Sequence, residues 1–103
     1  MTKVKFMRDQ IGLCGFEIEG HSSESCGDAE GKLVCSAVSS AAYMAANTIT
    51  EIIGDKCDAF VEDGVMKIYV HSPSEKARAV LDGFRLHIKE LSGQYSKRLR
   101  LEV

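Results

Sequence analysis

The chain has 103 residues, 13 Lys and Arg against 15 Asp and Glu, a formal net charge of -2 and 45% hydrophobic residues. That length and balance predict a single globular domain over residues 1–103, with a core thin enough to gain from dimerisation. They offer no basic footprint for nucleic acid, and no apolar run reaches the roughly 20 residues of a membrane helix.

The apolar part of Met1–Arg8 is too short for a signal peptide, so the expected location is the cytoplasm. The four cysteines, Cys14, Cys26, Cys35 and Cys57, are then expected as reduced thiols. Their irregular spacing matches no disulfide framework. Cys14, His21, Cys26 and Cys35 also lack the close ligand pairs of a structural zinc site.

Thr2 to Arg8 alternates, with Val4 and Phe6 on one side and Lys3 and Lys5 on the other, the pattern of a half-buried strand. Asp9 to Gly12 supplies turn residues. Leu13 to Gly20 alternates again, with Cys14, Phe16 and Ile18 on one face and Glu17 and Glu19 on the other, which completes a hairpin. Gly20 permits a bend, so the alternation does not decide where His21 faces. Ser22 to Lys32 is polar and reads as a loop. It is long for a strand-to-helix connection, where about two to six residues are usual, and suits either a lid or a solvated insertion.

Leu33 to Ile53 is the clearest helix, with Val34, Val38, Ala41, Ala45, Ile49 and Ile52 on one stripe. Cys35, Ser39, Ala42 and Ala46 form a second stripe beside it, and Gly54 ends the helix. Cys57 to Glu62 and Val65 to His71 read as strands joined by the turn Asp63-Gly64. Ser72, Pro73 and Glu75 predict the start of a second helix, carrying Ala77, Val80, Leu81, Phe84, Ile88 and Leu91 and stopping at Ser92-Gly93. Leu99, Leu101 and Val103 alternate with Arg98, Arg100 and Glu102 in a last strand. The order ββαββαβ predicts an α+β two-layer sandwich, a mostly antiparallel sheet with two helices on one face. Lys3, Lys5, Glu17, Glu19, Lys67 and Tyr69 would line the other face. Arg98 and Arg100 read as a solvated face, and His71 and His87 as surface or satisfied polar residues.

His21 and Cys35 bracket the polar loop. A thiol is a nucleophile only as its thiolate, so it needs a base or a positive field beside it. A helix starting near Leu33 puts Cys35 in the first turn, where unpaired N–H groups and the macrodipole favour the thiolate and can hold an oxyanion. Ser39 follows one turn later, and His21 is the nearest base in sequence. Such a pair is enough for acyl transfer to sulfur and then to water. On spacing alone, a small core cysteine and a surface histidine fit better.

Gly20-His21-Ser22, a glycine-bearing loop, and then Gly31-Lys32-Leu33-Val34-Cys35-Ser36-Ala37-Val38-Ser39 resemble the bacterial ribosomal-processing cysteine protease family. Length and element order are similar as well. The resemblance implies a cysteine endopeptidase that removes the N-terminal extension of a large-subunit ribosomal protein. It also implies a homodimer and no metal; no other cofactor is expected, and the charge and hydropathy reading expects neither a membrane nor a direct nucleic-acid partner. By position it makes Cys35 the nucleophile and His21 the base, with Gly20, Ser22, Gly31, Ser36 and Ser39 in supporting or substrate-binding places. One departure is Lys32, where the family element usually has Asp. Asp28 and Glu30 are acidic but lie further back. Cys26 is a second departure, read as an incidental exposed thiol or as a reversible disulfide partner of Cys35. The alternative function is a catalytically impaired, ribosome-associated binding module of the same fold.

Overall fold

The computed structural model describes residues 1–21 and 27–102. Its elements are β1 (Thr2–Arg8), β2 (Leu13–Glu19), α1 (Ala29–Asn47), a π-helical turn (Thr48–Ile53), β3 (Cys57–Glu62), β4 (Val65–Val70), α2 (Glu75–Gln94) and β5 (Leu99–Glu102). The sheet has five strands in the order β3-β4-β2-β1-β5. β1 and β5 are parallel and the other neighbours antiparallel. This is the expected α+β architecture.

The core lies between the sheet and the helices. Val4, Phe6, Phe16, Ile68 and Val70 meet Val34, Val38, Ala42, Ala45 and Ile49 of the first helical stretch and Ala77, Leu81, Phe84 and Ile88 of α2. Phe84 packs edge-on to Phe16 and Phe6, with ring centroids 4.7 and 5.5 Å away, a favourable arrangement of the ring quadrupoles. The small side chains Ala42, Ala45 and Ala46 let α1 lie close against its neighbours. On the other face, Lys3, Lys5, Glu17, Glu19, Lys67 and Tyr69 stay outside the buried core, as the alternation predicts.

Several local expectations change. β2 bulges at Cys14: Met7 pairs with Gly15 and Arg8 with Leu13, so Leu13 rather than Cys14 continues the inward register with Phe16. α1 begins at Ala29, a turn before Leu33, because Asp28 caps it by accepting from Gly31 N–H at 3.0 Å. Ile52 is 81% exposed, contrary to its place in the predicted stripe. The wide π turn, closed by Gly54 N–H on Ile49 C=O at 2.9 Å, rotates the helix phase and gives the inward place to Ile53. Ser74, not Ser72, caps α2, accepting from Ala77 N–H at 3.2 Å. Asp55 fixes that cap by accepting from Ser74 N–H and Oγ at 2.9 and 2.8 Å. α2 then continues past Ser92-Gly93 to Gln94. Val103 lies outside the described residues.

The β1–β2 turn is held by Asp9. Its Oδ1 accepts from the N–H groups of Ile11 and Gly12 at 2.9 and 3.0 Å. Both its oxygens also accept from the Arg78 guanidinium of α2 at 2.9 Å. Arg78 donates in addition to Leu13 C=O at 3.1 Å, so one cation ties turn, strand and helix together. The Arg78 guanidinium, then the Gly12 and Ile11 N–H groups, hold the Asp9 carboxyl well below the usual carboxylate range. The folded state therefore binds this proton less readily than the unfolded chain. The stabilisation is present above the ordinary Asp value of about 3.9 and is lost as pH falls below it toward the depressed folded value. Accordingly, Asp9→Asn should lower the thermal midpoint near pH 7 and narrow the gap to wild type near pH 3, as read by circular dichroism melts at both pH values.

Candidate active site

His21 takes its place from a close backbone contact. At the end of β2, Glu19 pairs with Val65 of β4, and Gly20 N–H donates to Gly64 C=O at 2.8 Å. Gly20 has φ +90, and a Cβ there would sit 2.4 Å from the Met1 carbonyl oxygen. Only glycine fits both the conformation and the space. The bend turns His21 out of the strand alternation. Its carbonyl accepts from Met1 N at 2.7 Å. Its imidazole lies over the β3–β4 turn, where a Cβ on Gly64 would be 3.0 Å from Nε2. The same nitrogen is 3.7 Å from Asp63 Oδ1.

Cys35 takes its place from the core. Val34 and Val38 are each 1% exposed, so the helix cannot turn about its axis without unburying them. Cys35 is left half-buried at the side of the core stripe, with Ser39 and Tyr43 at four-residue steps along the same flank. These side chains and His21 line one cleft of about 230 Å³. Thr2, Ile18, Gly20, Val38, Val61, Glu62, Asp63, Gly64, Val65 and Met66 complete it.

Among the predicted site residues, the cleft thus joins Gly20, His21, Cys35 and Ser39. Gly31 is buried in the first turn of α1, with its N–H on the Asp28 cap, and Ser36 is exposed. Neither lines the cleft. Ser22 lies outside the described residues, as do Cys26 and its suggested disulfide with Cys35. Cys14 and Cys57 are of a different kind: burial pushes both thiols up, which keeps them protonated.

The early start of α1 moves Cys35 out of the first turn. Lys32 N–H already donates to Asp28 C=O at 3.1 Å, so the helical ladder is established before Cys35 is reached. The Cys35 N–H therefore lies inside the ladder rather than among the unpaired donors, and the macrodipole effect is strongest in the turn before it. The expected oxyanion donors at Cys35 are lost with that correction.

Arg98 also departs from expectation. Instead of lying on a solvated face, it donates from Nε to Glu30 Oε1 at 3.0 Å and pairs through Nη1 with Asp28 Oδ2. Its own C=O accepts from Thr2 N–H at 2.9 Å, which links the start of α1 to the β1–β5 end of the sheet. His71 does match the polar expectation, with Nε2 2.8 Å from Asp58 Oδ2, and His87 is exposed. Among the described residues, no cluster of three or more His, Cys, Asp or Glu is placed to hold a metal ion, and no helix is long and apolar enough to cross a membrane.

The Asp63-Gly64 turn was legible as a turn, but its place beneath His21 was not. That place depends on β4 pairing with β2, which the local alternation does not encode. Gly64 has φ +77, a left-handed conformation that costs a side-chain-bearing residue about 1–2 kcal/mol. Gly64→Ala should lower the unfolding free energy by about that amount. Urea titration should show an earlier midpoint with an unchanged slope.

Nine solved chains match this fold. The crystal structure of SMU.848 from Streptococcus mutans is 22% identical with a TM-score of 0.88, covering 99% of this chain and 92% of that one. The ribosomal processing protease Prp from S. aureus with a covalently linked product peptide is 18% identical, with a TM-score of 0.85 and coverage of 99% and 98%. Its complex with a substrate peptide is 16% identical, with a TM-score of 0.87 and the same coverage. No curated protein matches by sequence. A family model for the cysteine protease Prp matches residues 1–100. This chain belongs to the Prp family of cysteine proteases.

Proposed function

We propose that this cysteine protease removes the N-terminal extension of a large-subunit ribosomal protein, with Cys35 as nucleophile and His21 as base. The observation that carries the assignment is the shared cleft: the imidazole at the end of β2 and the half-buried thiol of α1 line the same depression. The fold likeness to the S. aureus processing protease, solved with substrate and product peptides, supports the choice of substrate class.

The chemistry needs few parts. His21 takes the proton from Cys35 Sγ, leaving a thiolate beside an imidazolium. Sulfur attacks the scissile carbonyl carbon. The C–N bond then breaks, and the imidazolium returns its proton to the departing amine. Water, deprotonated by the same imidazole, hydrolyses the thioester and restores the thiol. Ser39, one turn below Cys35, and Gly20, just before His21, shape the walls of the cleft. Gly31 supports the start of the helix instead of the peptide.

The peptide has a natural seat beside these groups. β3 is an edge strand of the sheet, and its Phe60 and Val61 are 48% and 52% exposed. Val61 and Glu62 continue from that strand into the cleft. An extended peptide can add along such an edge through main-chain hydrogen bonds, with alternate side chains reaching into the cleft. The protein works as a single-domain, cytoplasmic homodimer without direct nucleic-acid contact. The thin core and the exposed Leu33, Met44, Ile52 and Leu86 are consistent with a self-associating surface.

Incubation with the ribosomal protein bearing its extension tests this reading. Wild type should release the extension. Cys35→Ser and His21→Ala should each lose about a thousandfold or more in kcat/KM while keeping wild-type melts. Retained cleavage in folded Cys35→Ser would refute the assignment.

A further inference from the structure

Asp63 belongs to a turn on the far side of the cleft from α1, and nothing in the local sequence marks it as more than a turn residue. Yet its Oδ1 is 3.7 Å from His21 Nε2. Gly64 lies under the imidazole at a distance that would leave a Cβ only 3.0 Å from Nε2, and Gly20 N–H is bonded to Gly64 C=O at 2.8 Å. The histidine and the turn are therefore one unit, joined by a backbone bond and a ring seated on a glycine. The acids at the start of α1 are committed elsewhere: Asp28 and Glu30 both bind Arg98.

We propose that Asp63 is a positioning residue for His21, turning the Nε2 side of the ring toward the hairpin and leaving Nδ1 to take the Cys35 proton. This rests on the Cys35–His21 assignment and adds a third member to it from a separate element. When the proton passes from Sγ to Nδ1, the imidazole gains a positive charge near the Asp63 carboxylate, 3.7 Å from Nε2, which favours the charged state over the neutral one. Asp63 exchanges no proton in this step. Asp63 is 99% exposed and the His21 side chain 56%, so the effect belongs to the range of surface ion pairs rather than buried ones. That range corresponds to a change of roughly 1.4- to 5-fold in an equilibrium or rate.

The test compares wild type, Asp63→Asn and Asp63→Glu on the ribosomal protein with its extension, measuring kcat and KM separately at about 0.1 and 1 M salt. Asp63→Asn should lower kcat about 1.4- to 5-fold with KM unchanged. Asp63→Glu should recover at least half of that loss. At 1 M salt, where the screening length is about 3 Å, the wild-type and Asp63→Asn values should converge. A wild-type kcat in Asp63→Asn, a loss confined to KM, a deficit equal in Asp63→Glu, or a deficit untouched by salt would overturn the proposal. Cleavage surviving in Cys35→Ser would instead overturn the assignment on which it rests, so the two failures are distinct.

Discussion

The close approach of Gly20 to Gly64 is the constraint on which the cleft depends. An N–H to C=O bond of 2.8 Å joins the two backbones, while a Cβ on Gly20 would meet the Met1 carbonyl oxygen and one on Gly64 the His21 ring. Both glycines have positive φ, so the strand end can turn and the hairpin can close in the same small volume. His21 follows Gly20 directly and inherits its position from that turn. His21 is thus placed by backbone geometry at the end of a strand.

The second half of the cleft is fixed in another way. Cys35 has no special backbone conformation. It sits where it does because Val34 and Val38 are buried against the sheet and α1 cannot roll. Arg98 adds an electrostatic anchor at the start of the same helix, binding both Asp28 and Glu30. Asp28 has two tasks, since one oxygen caps the helix and the other meets Arg98. Side chains that are partly shielded from water make such charge-assisted bonds stronger than those at an open surface. The cleft therefore lies between a strand end joined to the hairpin by a backbone hydrogen bond and a helix held by its buried stripe.

Much of this was written in the sequence at short range. Period-two alternation marked β1, β2 and β5, and the apolar stripes marked both helices. The His21 and Cys35 elements were recognisable by their neighbours. What stayed hidden depends on contacts between distant residues. Asp28 becomes a helix cap only when α1 starts one turn early, and the polar, glycine-containing segment before Leu33 conceals that start. The bulge at Cys14 and the π turn before Gly54 each change the phase by one residue, which periodicity averages away. Arg98 looked like any charge on a solvated strand because its partners are 68 and 70 positions away. Asp63 reads as a common hairpin residue until the strand order places β4 next to β2.

The central claim is that His21 and Cys35 act as a coupled pair. Its most direct test is the rate of iodoacetamide alkylation at Cys35 from pH 5 to 10, read by peptide mapping in wild type and His21→Ala. A coupled pair predicts substantial thiolate reactivity at neutral pH in wild type, with a rise delayed toward the ordinary thiol range near ~8.5 in His21→Ala. Two superimposable curves, both rising near ~8.5, would contradict it.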